Sequence, residues 1–89
     1  MTAQEMLERI AKGIVRPAWS FYGDEPGSGT RLGTGDTMWY RASFDGYEIT
    51  QYVSQSVAGI TESITVWNDK EKATATCPPE MSWDEMFSD

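Results

Sequence analysis

Polar and apolar positions along this chain change their period once, from helical to alternating. Ala3, Met6, Leu7, Ile10 and Ile14 recur at helical spacing on one stripe, with Glu8, Arg9 and Lys12 outside it. Thr2 and Glu5 stand three apart before that stripe, the spacing of a capping box in which each side chain satisfies an orphan amide of the other. Gly13 and Pro17 are placed to end the helix. From Thr37 the period is two. Met38, Tyr40, Ala42 and Phe44 alternate with Trp39, Arg41 and Ser43, and Tyr47, Ile49 and Val53 alternate with Glu48, Thr50 and Tyr52. Asp45-Gly46 between the runs suits a type I′ turn, which needs positive φ at both residues.

That turn sets a register. It pairs Phe44 with Tyr47, Ala42 with Ile49, Tyr40 with Gln51 and Met38 with Val53, so these eight share a face. A second hairpin is expected from Ile60 to Trp67 and Lys72 to Cys77, around residues 68–71, pairing Val66 with Ala73 and Ile64 with Ala75. Pro78 and Pro79 end the sheet because neither donates to a ladder. Leu7, Ile10 and Ile14 would face these core positions. The pattern predicts an α+β fold, with the N-terminal helix packed on one face of a four- or five-stranded antiparallel sheet. The chain divides into a domain over 1–79 and an acidic-aromatic tail over 80–89.

Two stretches resist the alternation. Ala18 to Tyr22 suits either a short strand or a packed connection. Residues 23–36 hold five of the eight Gly, with Pro26 and a single aliphatic side chain, Leu32. A segment so poor in apolar surface is expected to be a mobile loop. In the tail, Ser82 and Glu85 can form a second capping box, setting Trp83, Met86 and Phe87 on one face of a helical turn. Those three suit a partner groove with a basic rim, or the protein's own sheet.

The sheet face away from the helix would carry Trp39, Arg41, Thr50, Tyr52, Ser63, Thr65, Trp67, Lys72 and Thr74. Trp39, Tyr52, Trp67 and Arg41 among hydroxyls have the composition of a binding hot spot. The alternative is that Ala18 to Tyr22 or the tail folds over this face and buries the aromatics.

Composition narrows the chemistry. The chain has 89 residues, one Cys and no His, with 14 acids against 7 bases and a formal charge of −7. At 39% hydrophobic residues with four Trp it is too apolar for disorder. One Cys allows neither an internal disulfide nor a soft zinc cluster, and the lack of His removes Ser-His and Cys-His pairs. Residues 27–35 invite a phosphate-loop reading, but they match neither the Walker nor the dinucleotide spacing. Asp24, Glu25 and Asp36 lack the alternation of a calcium loop. Cys77 lacks a base and reads as a bystander thiol. No catalytic residue, cofactor or metal is expected, and no enzyme. No apolar run approaches bilayer length and no signal-peptide pattern opens the chain, so a cytoplasmic protein is expected.

The charge is uneven. Residues 1–45 carry six acids and five bases, −1, whereas residues 46–89 carry eight acids and two bases, −6. Such a balance opposes direct contact with nucleic acid or anionic membranes and favours a basic partner. The expected function is therefore a small acidic protein-binding module that masks a basic, nucleic-acid-binding surface, imitating phosphate with carboxylates. Its contacts would be Trp39, Arg41, Tyr52 and Trp67 on the sheet, with Glu80, Trp83, Asp84, Glu85 and Phe87 on the tail. In compactness, acidity and lack of a catalytic set, the chain resembles the small inhibitors that phages make against host defence nucleases, anti-CRISPR proteins among them. That resemblance is one of composition, carried by no motif. Two alternatives stay open: a nucleotide-signal sensor or sponge using the Gly-rich loop and the aromatic face, and a homo-oligomeric assembly subunit. Either a monomer or a homodimer is compatible with the composition.

Overall fold

A computed structural model describes residues 1–24 and 37–88. Helix α1 (Ala3–Ala11) begins in the expected box: the Glu5 N–H donates to Thr2 Oγ1 at 3.1 Å and the Thr2 N–H to Glu5 Oε1 at 3.2 Å. A second carboxylate arrives from far along the chain. Glu71 Oε1 accepts the Ala3 N–H at 2.6 Å, at the helix end where the backbone dipole favours negative charge. The Tyr47 hydroxyl donates to the Met1 carbonyl at 2.7 Å, so the start of the helix is tied to two points on the sheet.

The other end of α1 corrects one expectation. Gly13 adopts φ +78°, its N–H donates to the Ile10 carbonyl at 3.0 Å, and the Ile14 N–H donates to the Arg9 carbonyl at 2.9 Å. This pair of bonds is a Schellman motif, which closes the helix and sends the chain off its axis. Ile14 therefore leaves the apolar stripe and is 67% exposed, while Ala3, Met6, Leu7 and Ile10 are buried.

Five antiparallel strands follow in chain order across one sheet: β1 (Ser20–Asp24), β2 (Thr37–Phe44), β3 (Tyr47–Ser56), β4 (Gly59–Trp67) and β5 (Lys72–Cys77). The fold is α+β as expected. Ala18 to Tyr22 resolves in favour of a strand, and β1 takes Gly23 and Asp24 from the expected loop; the rest of that loop, 25–36, lies outside the described residues. Asp45 and Gly46 both have positive φ, and the predicted register of β2 against β3 holds at every pair. The four-residue loop 68–71 likewise aligns Val66 with Ala73 and Ile64 with Ala75. Asn68 organises it, its Oδ1 accepting the N–H groups of Lys70 and Glu71 at 2.9 Å each. The β3–β4 connection is the tight turn Val57-Ala58, ending at Gly59 with φ +124°. A Cβ on Gly59 would stand 3.0 Å from the Pro79 ring, so both conformation and space require glycine there.

Met6, Leu7, Ile49 and Val66 are fully enclosed between helix and sheet, with Ala42, Tyr47 and Ile64 beside them. The helix lies over β4 and β5, where Ala73 and Ala75 offer little bulk and let it approach. Among the described residues no helix is long and apolar enough to cross a membrane.

Two measurements check this account. Glu71→Ala should lower the unfolding free energy by about 1–2 kcal/mol in urea titrations, the usual cost of losing a helix cap. An unchanged midpoint would show that the Ala3 contact carries no stability. Burial, helped by the Glu71 carboxylate, raises the Tyr47 phenol above 10.0; burial, helped by Glu62, Glu85 and Glu80, raises the Cys77 thiol above 9.0. Both groups are neutral below those values. Their stabilisation is therefore complete below the unfolded-state pKa and is lost as pH rises through the folded one. The urea midpoint should stay level between about pH 6 and 8, where no His titrates, and fall above about pH 9.

Candidate functional site

The register fixes which side chains share the sheet face opposite α1. Trp39 stands across from Tyr52, with ring centroids 4.4 Å apart and planes inclined at 56°. Arg41 pairs with Thr50 in the next row, and Thr50 aligns with Thr65 and Thr74. Hydroxyls couple across the strands: Thr74 Oγ1 donates to Thr65 Oγ1 at 3.2 Å, and Ser63 and Thr76 share a bond of 2.9 Å. Trp67 aligns with Glu48 on one side and Lys72 on the other. A hollow of about 340 Å³ lies between Trp39 and Trp67, with Thr50, Thr65 and Lys72 completing its lining. The three aromatics are half-buried. On β2 to β5 this face holds two bases, Arg41 and Lys72, against one acid, Glu48.

Neither expected cover lies on that face. β1 joins the sheet edge beside β2, and the tail goes to the helix side, where Trp83 and Phe87 pack against the core. The tail forms helix α2 (Trp83–Met86) capped by Ser82, whose Oγ accepts the Glu85 N–H at 3.2 Å. The reciprocal half of the box is absent, because Glu85 Oε1 meets the Ser82 hydroxyl at 3.3 Å instead of its amide. Trp83 and Phe87 are parallel, with centroids 6.0 Å apart. Met86, expected on the same face, is half-buried but is not among the side chains packed on the core.

The nine candidates thus form two groups on opposite faces. Trp39, Arg41, Tyr52 and Trp67 are together on one; Glu80, Trp83, Asp84, Glu85 and Phe87 belong to the other, with Glu80, Asp84 and Glu85 exposed. Cys77 shows how the second group is arranged. Its thiol donates to the Met81 carbonyl at 3.3 Å, and the carboxylates that act on it are Glu62, Glu85 and Glu80, from β4 and from both sides of the tail turn. Glu62 stands directly across from Cys77, at the end of the sheet where the tail begins.

The sequence reading missed a cleft beside them. It measures about 400 Å³ and opens where α1 stops short, between the 13–19 segment, the middle of β3 and β4, and Trp83. Trp19, Trp83 and Val15 contribute apolar wall, Gln51 and Glu62 polar wall, and Arg16 stands at the edge. Gln51 Nε2 donates to Glu62 Oε1 at 3.2 Å. The signal was present in the register: Gln51 and Glu62 are polar residues on the face whose neighbours Ile49, Ile64 and Val66 are buried. Among the described residues no group of three or more His, Cys, Asp or Glu is arranged to hold a metal ion.

The Trp39–Tyr52 contact can be weighed by a double-mutant cycle with Trp39→Ala and Tyr52→Ala. A coupling of about 0.5–1.5 kcal/mol is expected for such a pair, read from urea unfolding. Zero coupling would mean the two rings contribute independently.

Compared with protein-family models, curated proteins and solved structures, the chain matches none.

Proposed function

We propose that this protein is a non-enzymatic binding module of the cytoplasm that docks its acidic end onto a basic, nucleic-acid-binding surface of a partner protein. The observation that supports this most is the set of carboxylates on the tail side: exposed Glu80 and Glu85 on either side of the tail turn, with Glu62 across from Cys77 on β4. Asp84 adds a fourth carboxylate on the same tail, and residues 73–89 contain no Lys or Arg to neutralise them. Carboxylates fixed on a folded surface resemble the charge of a phosphate backbone, and complementary potential steers encounter and excludes neutral partners. A flat partner reaches one face of a sheet, not both. Charge assigns the basic partner to the tail side, with Glu80, Asp84 and Glu85 as leading contacts and the exposed edges of Trp83 and Phe87 as apolar support. The mode of action is that of an inhibitor, of the kind phages direct against host defence nucleases.

The opposite face favours a second reading. Its hollow between Trp39 and Trp67, with Lys72 on the rim, suits a small planar anionic ligand, as in a nucleotide-signal sensor. A nucleotide thermal-shift screen separates the two, since a ligand at a hundred times its Kd stabilises by about 2.7 kcal/mol.

The direct test immobilises the full chain, captures proteins from nuclease-treated lysate, and repeats the capture with Glu80→Lys/Asp84→Lys/Glu85→Lys. The expected partner binds nucleic acid, is displaced by added nucleic acid, and weakens at least tenfold as salt rises from 0.1 to 1 M, where the screening length falls from about 10 to about 3 Å. The triple reversal should abolish its capture. A partner held equally at 1 M salt and by the reversed protein would refute charge mimicry.

A further inference from the structure

The cleft beside the tail has a composition that selects its occupant. Trp19 and Trp83 contribute indole surface, and indole faces attract cations more strongly than the other aromatic side chains do. Glu62 presents a carboxylate in the same cleft, and Gln51 engages one of its oxygens. The amide nitrogen of Gln51 is the donor in that bond, which leaves its carbonyl oxygen as an acceptor alongside the carboxylate. Acceptors between aromatic walls call for a flat, charged donor. Among the described lining residues the one cation is Arg16, which is exposed and donates its Nε to the Gly13 carbonyl at 3.2 Å.

We infer that this cleft receives an arginine side chain of the basic partner, with the guanidinium stacked on indole and hydrogen-bonded to Glu62. Arginine fits better than lysine for three reasons. Its planar group stacks, its fork of donors matches a carboxylate, and it is more weakly hydrated than an ammonium. The volume of about 400 Å³ is near the lower end of ligand pockets, which run from roughly 300 to 1,000 Å³, and admits one long side chain with its adjoining backbone. Charge agrees, because Glu62 lines the cleft and the cleft reaches the acidic tail through Trp83. This inference rests on the basic-partner reading above and adds the anchor by which the partner is recognised.

The test needs no partner. The full chain is titrated with acetyl-Gly-Arg-Gly-amide while the four indole N–H resonances are followed, assigned by Trp-to-Phe variants, with the Lys and citrulline tripeptides as controls. The arginine peptide should move the Trp19 and Trp83 resonances and leave those of Trp39 and Trp67 in place. Citrulline, which keeps the shape without the charge, should move none. Glu62→Gln should weaken the response at least tenfold; it retains an oxygen for Gln51, and an unchanged near-ultraviolet dichroism spectrum confirms that the fold survives. Arg16→Gln should bind as well as the parent or better. Equal movement of all four indoles, a full response with citrulline or in Glu62→Gln, or loss of response in Arg16→Gln would each overturn the inference. If the titration fails while salt-sensitive capture of a basic partner persists, the anchor falls and the docking reading stands. If it succeeds while no basic partner is captured, the reverse holds.

Discussion

A single carboxylate, Glu71, fixes where the helix sits. Nine residues of helix extend about 14 Å and are too few to persist alone in water. This helix is held at its start by the Thr2–Glu5 box and by the Glu71 bond to the Ala3 N–H, and at its end by the Schellman bonds at Gly13. Because Glu71 closes the β4–β5 loop and Tyr47 opens β3, those contacts bring the helix start to one end of the sheet. Ala73 and Ala75 then decide which strands it covers. A strand of ten residues runs about 33 Å, so a helix anchored at one end cannot shield the far half of its own face. The tail and Trp19 close part of what remains. The cleft is the part they leave.

Charge follows the same division. On β2 to β5 the face away from the helix holds Arg41 and Lys72 against Glu48, while the other side carries Glu62 on β4 and exposed Glu80, Asp84 and Glu85 on the tail. The two aromatic surfaces therefore differ in the charged residues that the strands and tail set beside them. This separation makes the basic-partner proposal specific: it assigns the tail side, and it gives the Trp39–Trp67 hollow to ligands of the other sign.

Much of this architecture was legible in the residues because local geometry dictates it. Asp45-Gly46 allows one hairpin twist, and once that turn is set, alternation assigns every side chain on two strands to a face. What was not legible depends mostly on contacts between distant segments. Ile14 is a local exception: it fits the helical stripe by spacing, and the left-handed Gly13 beside it removes it. Glu71 looks like an ordinary turn residue, and its role emerges when residue 3 arrives beside it. The Val57-Ala58 turn has no Asn or Asp; Ser56 supports it by accepting the Ala58 N–H at 3.2 Å, and Gly59 supplies the positive φ that ends it. The tail's aromatics had two physically equal destinations, and the opening left by a short helix decided between them.

Gln51 and Glu62 bear most directly on function. Each stands on the face that packs the core, one row from fully buried Ile49 or nearly buried Ile64. Both are half-buried, and small domains have little core to spare, so apolar side chains at both positions would serve packing better. A nine-residue helix covering part of a ten-residue strand accounts for the opening, but it does not account for lining that opening with a carboxylate and two indoles. Recognition of a cation accounts for both. It gives the carboxylate a partner charge, gives the indoles a face to present, and makes the opening between helix and tail a site instead of a defect in packing.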